Sequence, residues 1–258
     1  MNLYALPVPH MPEAVPVILD SFSSTITTTR GWRNGELESV HQLIDRYGGE
    51  DGDPLCELRD ELSDYVKDRQ RDVLILNKSV VESRVAQCIS LTSNEAFETL
   101  HSTVIKIGRV IHRREHVQRR HPTTSIADPQ GNKVVYCEHE EIEAHIQRIS
   151  ISSLELRHRS PVLAAIYVMV AISAVHPIRD GNGRLGRILF NMVMQADYGA
   201  PYIPLYELGQ RSDGGWLLAL RRAQIQNDWD CISSYIVNAV KITAQLQAAS
   251  VMRHPDVA

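Results

Sequence analysis

The sequence predicts a mainly α-helical domain that carries one β-hairpin. Apolar residues recur at helical spacing along most of the chain. Residues 123–136 differ, because two short runs of β-prone residues there flank the turn sequence Asp-Pro-Gln-Gly-Asn. The stretch Pro161–Val175 is apolar on nearly every side, which is typical of a central buried helix. A chain of 258 residues with 43% hydrophobic and 22% charged residues can build such a core without disulfides.

The first half of the chain is predicted to be irregular and then helical. Residues 1–35 are rich in Pro, Ser and Thr and favour irregular structure. Beyond them, i, i+3, i+4 spacing of apolar residues predicts four helices, the first of which ends at Gly48-Gly49. The first has its apolar residues at 37–44, and the other three are expected at 55–66, 73–91 and 96–111.

The second half begins with the hairpin, whose strands are expected at 123–126 and 134–136. Helical patterns then resume, and Pro161 is suited to the first turn of the buried helix. The last pattern contains Asn227-Asp228, where a break is expected. The predicted helices of this half are 140–149, 161–175, 184–198 and 216–248.

Composition excludes several classes of protein. A formal charge of −4 is unlike the basic excess of a general nucleic-acid binder. Four cysteines without metal-ligand spacing, Cys56, Cys88, Cys137 and Cys231, predict reduced thiols. The first residues carry no basic segment of a standard secretory signal, and the longest apolar stretch is too short to span a bilayer. We therefore expect a cytoplasmic protein without a membrane partner; export as an effector would require a signal of another kind.

The polar break after the buried helix, HPIRDGNGRLGR at 176–187, concentrates groups suited to phosphate chemistry. Glycines let a ligand approach the backbone, and the N–H groups of the following helix attract an anion. Arg184 and Arg187 lie three residues apart on one helical face and suit a polyphosphate. Asp180 is a carboxylate placed for Mg²⁺, and His176 is able to accept a proton near neutral pH.

Each of these features also has an ordinary structural interpretation. A Gly-x-Gly before a helix is commonly a plain turn. A histidine at a helix end is commonly a cap or a core residue, and two arginines on a helix are commonly solvated. The conjunction of all of them within twelve residues, directly after the most apolar helix, favours a functional site.

This run resembles the signature of the Fic-domain family, His-x-Phe-x-Asp/Glu-Gly-Asn-Gly-Arg-x-x-Arg, at seven fixed positions. The resemblance extends to RILFNMVMQADYGAP and QRSDGGWLLALRRAQIQND, and the hairpin lies where the family has its flap. It implies a Fic-type helical bundle with one β-hairpin flap. The resemblance covers a Fic core at 95–245; we expect a mostly helical N-terminal region at 1–94 and a C-terminal tail at 246–258 beside it.

The resemblance implies transfer of AMP from ATP to a Ser, Thr or Tyr hydroxyl of a target protein, with pyrophosphate leaving. His176 is then the general base and Asp180 the ligand of Mg²⁺. Two alternatives remain open: a Fic-fold transferase of another nucleotide or phosphate-containing group, and a non-catalytic interaction protein on the same fold. The residues implied to hold the phosphates are Gly181, Asn182, Gly183, Arg184 and Arg187.

The flap implies a surface for the target protein. In the family its edge pairs with an extended target segment, and Val134, Val135 and Tyr136 are the matching residues here; a purely structural hairpin is the alternative. Asn191 and Trp216 lie near where family members contact the base, although a core role for Trp216 is equally compatible with its type.

Two departures from the family pattern affect these expectations. Ile178 replaces the usual Phe, and we expect it to remain an apolar anchor. Many relatives carry a helix Ser/Thr-x-x-x-Glu-Gly/Asn whose Glu pairs with the second signature Arg and obstructs the γ-phosphate, and no Glu of this chain matches it. Arg187 is thus predicted to lack an internal blocker. Three alternatives follow: a small antitoxin-like protein supplies the Glu, the enzyme is unrestrained, or a diverged segment of the chain supplies the blocking group. We favour the first.

A basic run precedes the flap and remains open to two interpretations. It is either a solvated helix end with favourable dipole placement or a surface for an acidic partner; nucleic acid is disfavoured because no aromatic residues interleave with it. Its members are Arg109, His112, Arg113, Arg114, His116, Arg119, Arg120 and His121.

Overall fold

The computed structural model describes residues 3–20, 77–89, 91–119, 124–126, 133–212 and 214–253. The helices predicted at 37–44 and 55–66, the first residues of the one predicted at 73–91, and Cys56, Arg120 and His121 lie outside these ranges. No helix of the described residues is long and apolar enough to cross a membrane.

The described chain is mainly helical, with one small sheet, as predicted. Most helix bounds lie within a few residues of the expected ones, whereas the helix expected at 140–149 continues to Arg159. In chain order the strands are β1 (Leu3–Ala5), β2 (Thr124–Ile126) and β3 (Lys133–Val135). The helices are α1 (Val17–Asp20), α2 (Asn77–Ile89), α3 (Ser93–Glu98), α4 (Leu100–His112), α5 (Ile142–Arg159), α6 (Pro161–Val175), α7 (Asn182–Tyr198), α8 (Leu205–Arg211), α9 (Gly215–Arg221) and α10 (Asp230–Arg253).

The single helix expected at 96–111 is wrong in one respect, because the chain forms two helices, α3 and α4, that meet at Thr99. Helix α3 has its own start signal: the Thr92 side chain accepts a hydrogen bond from Glu95 N, and the Glu95 carboxylate accepts one from Thr92 N. This capping box satisfies two backbone donors and begins a helix ahead of the apolar pattern.

Helix α6 lies at the centre of the core, as its composition predicted. All its residues except Pro161 and Ser173 are buried, and it packs most extensively against α5 and α7. Gly186 of α7 allows this contact, since a Cβ there would lie 2.9 Å from Ser173 Oγ and 3.0 Å from Met169 O. The tight packing of α6 on α7 holds the two ends of the polar break in a fixed relation.

The break expected near Asn227-Asp228 is present. After α9 the chain forms a π-helical segment, Arg222–Gln226, and Asn227 has a left-handed backbone with φ 55 before α10 begins. Gln224 within this segment is buried and donates to Val170 O of α6. The irregular turn thus ties the last helices to the central one.

The hairpin prediction is confirmed, but the sheet has a third strand. β2 pairs with β3 antiparallel, and β1 pairs with β3 parallel, so that β3 is the middle strand. Leu6 N donates to Val135 O at 2.9 Å, and the Leu6 side chain is buried with Val134, Tyr136 and Ala174. The N-terminal residues, which sequence reasoning treated as irregular, therefore contribute an edge strand.

Candidate active site

His176 ends α6 in a left-handed conformation, with φ 57 and ψ 53. Its ring stacks on that of Tyr136, with centroids 3.9 Å apart and planes inclined by 21°. Burial lowers the pKa of His176 to about 4, and the nearby cations Arg119 and Arg221 act in the same direction. The imidazole is thus neutral near pH 7 and able to accept a proton.

The loop after His176 is braced by backbone contacts. Arg119 N donates to Pro177 O at 2.9 Å and Arg179 N donates to Val117 O at 3.1 Å, so that 117–119 runs antiparallel to 177–179. Ile178 is fully buried, which confirms its expected role as an apolar anchor.

Asn182 braces the same loop from the other side. Its Oδ1 accepts from Ile178 N at 3.0 Å, and its Nδ2 donates to Ile178 O at 2.7 Å. The buried side chain is thereby engaged with the backbone, and only the main-chain N–H of Asn182 can serve an anion. A phosphate contact of Asn182 stays a prediction, and its main-chain N–H is the group available for it.

The N-terminus of α7 has no side-chain cap. Gly181 has φ +80, where side chains are rarely tolerated, and Leu185 N makes the first helical bond to Gly181 O. The N–H groups of Asn182, Gly183 and Arg184 precede that bond and have no intrahelical acceptor. Arg184 is half-buried, and within the described chain it has no ion-pair partner. The first turn of α7 therefore carries backbone donors without intrahelical acceptors and, at Arg184, a cation.

Asp180 is exposed beside this helix end. Its Oδ1 accepts from Gly181 N at 2.7 Å, and its carbonyl oxygen accepts from His112 Nε2 at 2.8 Å. The remaining carboxylate oxygen suits Mg²⁺, which takes one or two carboxylates together with phosphate oxygens. Among the described residues the one cluster of three potential metal ligands, Glu138 to Glu140, does not include Asp180.

Arg187 is occupied by a carboxylate of the same chain. Glu82 of α2, 1% exposed, accepts from Arg187 Nη2 at 2.5 Å and from Arg187 Nε at 3.2 Å, and Tyr202 donates to it at 2.9 Å. The prediction that Arg187 has no internal blocker is thus wrong in that Glu82 pairs with it; a separate antitoxin-like protein stays a prediction. The sequence search missed Glu82 because Ser79 lies three rather than four residues before it and Ser83 follows it.

Helix α2 is held on α7 and α8 by further polar contacts. Ser79 N donates to Glu207 Oε1 at 3.0 Å, and Ser79 Oγ donates to the other oxygen of that carboxylate. Lys78 donates to Tyr206, whose ring also lies beneath the Arg187 guanidinium. These contacts fix the position of Glu82 along Arg187.

The two residues proposed near the base have structural partners. Asn191 is buried; its Nδ2 donates to Arg187 O and Ile203 O, and its Oδ1 accepts from Ile203 N, so that it connects α7 to the loop before α8. Trp216 is half-buried and packs on Tyr235 with ring centroids 5.3 Å apart. Contact of either residue with a base stays a prediction.

The flap differs from the sequence expectation in one respect. Val134 and Tyr136 are buried, and both edges of β3 are paired in the described chain, one of them by β1. A target segment can pair with β3 only where β1 has left it. Docking of a target on these residues stays a prediction.

The basic run is not uniform. Arg119 is 3% exposed and points into the protein, which contradicts both interpretations for this residue. His112, Arg114 and His116 line a concavity of about 370 Å³ beside Arg179 and Asp180. An acidic partner for that surface stays a prediction.

The segment that contains this site is similar to a known protein family. The model of the Fic/DOC family matches residues 90–194, which contain the whole 176–187 run. Over this segment the chain is similar to the Fic/DOC family. This similarity supports a Fic-fold transferase. A Fido domain-containing protein of Dictyostelium discoideum is 46% identical over 43 residues, which are 17% of this chain and 29% of that protein.

Solved structures agree on the Fic fold. A Fic family protein from Desulfovibrio desulfuricans superposes with a TM-score of 0.58 at 14% identity, covering 95% of this chain and 78% of that one. Residues 134–508 of Fic-1 from Caenorhabditis elegans give a TM-score of 0.52 at 13% identity, covering 92% and 72%. A Fic domain containing signaling protein from Bacteroides thetaiotaomicron gives 0.50 at 18% identity, covering 92% and 90%. At these identities the likeness establishes the fold alone.

Proposed function

We propose that this protein transfers AMP from ATP to a Ser, Thr or Tyr hydroxyl of a target protein. The observation that carries the proposal is the pairing of a neutral, half-buried imidazole with a helix N-terminus that has no side-chain cap, at the other end of one braced loop. In this reaction the attacking hydroxyl must lose a proton, and negative charge accumulates on the phosphate oxygens. His176 is the acceptor for the proton, and the N–H groups at the helix N-terminus are donors to the phosphate oxygens.

In the proposed reaction the target hydroxyl oxygen attacks the α-phosphorus of ATP, and its proton passes to the His176 imidazole. The new oxygen–phosphorus bond forms as the bond between the α-phosphorus and the bridging oxygen breaks, and pyrophosphate departs with the electron pair. The N–H groups at 182–184 stabilise the charge on the α-phosphate, and Arg184 binds the β- and γ-phosphates. Mg²⁺ held by Asp180, when bound, supplies charge neutralisation to the phosphates.

Glu82 restrains this activity in the proposal. Arg187 Nη1 lies 3.5 Å from where a Cβ on Gly183 would be, so the guanidinium lies beside the helix N-terminus that receives the phosphates. While its Nε and Nη2 donate to Glu82, Arg187 cannot offer its fork to a γ-phosphate, and the carboxylate repels one. Release of Glu82 is then required before ATP binds productively.

The test is label transfer from ATP, UTP and GTP, each labelled on the α-phosphate, to lysate proteins. The experiment uses the Glu82→Gln variant, with and without the second substitution His176→Ala. Label from ATP that falls by about 10²- to 10⁴-fold with His176→Ala, at unchanged ATP affinity, supports the proposal. Label from UTP or GTP alone favours the other transferase, and no His176-dependent label favours an interaction protein.

A further inference from the structure

The turn that carries His176 needs support beyond its own helix. A left-handed conformation is uncommon for a residue with a side chain, and the last carbonyl groups of a helix lack intrahelical donors. His176 N still donates to Ile172 O at 3.0 Å. The carbonyl oxygens of Val175 and His176 are then left to find donors elsewhere.

Arg119 supplies those donors. Its Nε donates to His176 O at 3.0 Å, and its Nη2 donates to Val175 O at 3.3 Å. The same Nη2 donates to Cys137 O at 2.6 Å, just after the flap strand β3. One planar guanidinium therefore joins the end of α6 to the end of the flap, and its positive charge lies at the negative end of the helix dipole.

The imidazole itself is held by the flap. Tyr136 is the residue before Cys137, and its ring is the one that stacks on His176. Arg119 thus fixes both the backbone that carries the imidazole and the backbone that carries the stacking ring. Displacement of the guanidinium would loosen both at once.

We propose that Arg119 is a positioning residue for His176, which sets the orientation of the imidazole through the α6 carbonyl groups and through Tyr136. This inference deepens the proposed function, on which it rests, and concerns the same site. It assigns a task to one member of the basic run that neither surface interpretation explains.

The charged and titratable groups around His176 define what a variant should change. Arg119 comes from the segment before the flap, Tyr136 and Cys137 from its end, Asp180 from the loop and Arg221 from α9. Burial is the first cause of the low pKa of His176, the two arginines lower it further, and Asp180 opposes them. Loss of the Arg119 charge therefore raises the pKa of His176.

The experiment compares Arg119→Lys and Arg119→Met in the full chain, with Arg109→Met as the control. Arg109 is an exposed arginine of the same run whose Nε also donates to a carbonyl oxygen, that of Glu115. NMR of the histidine rings, assigned with His176→Asn, gives the pKa of His176 and the ring-current shift from Tyr136. Transfer kinetics in the Glu82→Gln background give kcat and the KM for ATP.

We expect Arg119→Met to raise the pKa of His176, to reduce its ring-current shift, and to lower kcat by about tenfold or more with an ATP KM within about twofold. Arg119→Lys keeps the charge but cannot span three carbonyl groups, so the pKa stays low while the ring-current shift falls. Arg109→Met changes none of these values.

The inference is overturned if both folded variants keep the parent's His176 pKa and ring-current shift, or if the ATP KM rises as much as kcat falls. If Arg119→Met does not fold, Arg119→Lys decides; if neither folds, Arg119 supports the whole fold and the inference is wrong. Absence of transfer in the Glu82→Gln parent would refute the proposed function, while the NMR comparison would still decide the role of Arg119.

Discussion

The two ends of the 176–187 run, one at the end of α6 and one within α7, are held in opposite ways. At the His176 end, a buried cation binds backbone carbonyl groups and an aromatic ring covers the imidazole, which leaves a neutral base in a fixed place. At the Arg187 end, a buried carboxylate from α2 occupies the cation itself. Under the proposed function, the first arrangement prepares a base for proton transfer, whereas the second keeps Arg187 from a phosphate. The proposal therefore expects control to act on phosphate binding and not on the base.

Removal of the Glu82–Arg187 ion pair has the largest expected effect on label transfer. Glu82→Gln removes the negative charge but keeps the helix, so label transfer should rise by about tenfold or more, equivalent to about 1.4 kcal/mol of restraint. Without ATP the variant should unfold about 3 kcal/mol more easily, because Arg187 loses its buried partner. The rate of label transfer measures the first effect. Thermal unfolding measures the loss of stability, and repeated with ATP it should show that ATP stabilises the variant more than the parent.

The control for this variant is Glu98→Gln, which changes an exposed glutamate of α3. It should alter neither transfer nor the response of unfolding to ATP. Equal transfer by Glu82→Gln and the parent would mean that the Glu82–Arg187 pair serves the fold alone.

The low pKa of His176 should make the free energy of unfolding depend on pH. The pKa of His176 is about 4 in the folded protein and 6.5 when unfolded, so the unfolded chain binds more protons between these values. Stability is therefore complete above about pH 6.5 and falls as the pH decreases towards 4, by an amount on the order of 3 kcal/mol. Denaturant unfolding across this range measures the slope.

His176→Asn serves as the control, because Asn also tolerates a left-handed backbone but does not titrate there. The difference in unfolding free energy between parent and variant should shrink on acidification. A constant difference would show that the imidazole is not kept neutral by its surroundings.

The smallest effect is expected at the flap. Leu6→Asp places a carboxylate among Val134, Tyr136 and Ala174, so β1 should leave β3 and open its edge. In the Glu82→Gln background we expect label transfer to a protein target to rise by about two- to fivefold. Ala5→Asp, at an exposed position of the same strand, is the matched control. A fall in transfer with Leu6→Asp would mean that β1 supports Tyr136 more than it blocks the edge.

Local pattern predicted most of the fold. The apolar composition of Pro161–Val175 predicts that this helix is buried, and the turn-forming residues at 128–132 predict the hairpin. Apolar spacing predicts the start of α3 three residues too late, whereas the capping box formed by Thr92 and Glu95 marks it directly. β1 could not be predicted, since three residues become a strand only through a partner far along the chain.

In the candidate site, too, the local features could be predicted from the sequence and the long-range contacts could not. Its signature residues are contiguous, so sequence locates His176 and Asp180, whereas their partners come from distant segments. Glu82 and Arg187 are 105 residues apart, and nothing local marks that pair. Arg119 stands in a run of cations that resembles a solvated helix end, and its burial depends on carbonyl groups that only the tertiary fold brings to it.

The parallel pairing of β1 with β3 has a consequence for how the molecule opens. Because these strands are far apart in sequence, the entropy of closing the intervening loop opposes their association, although the cost grows only slowly with length. β1 contributes little to the core around α6, so it can detach by sub-global unfolding at far lower free energy than the helical body. The Leu6 amide would then exchange its hydrogen with solvent long before those of α6, and each such excursion would uncover β3 for a moment.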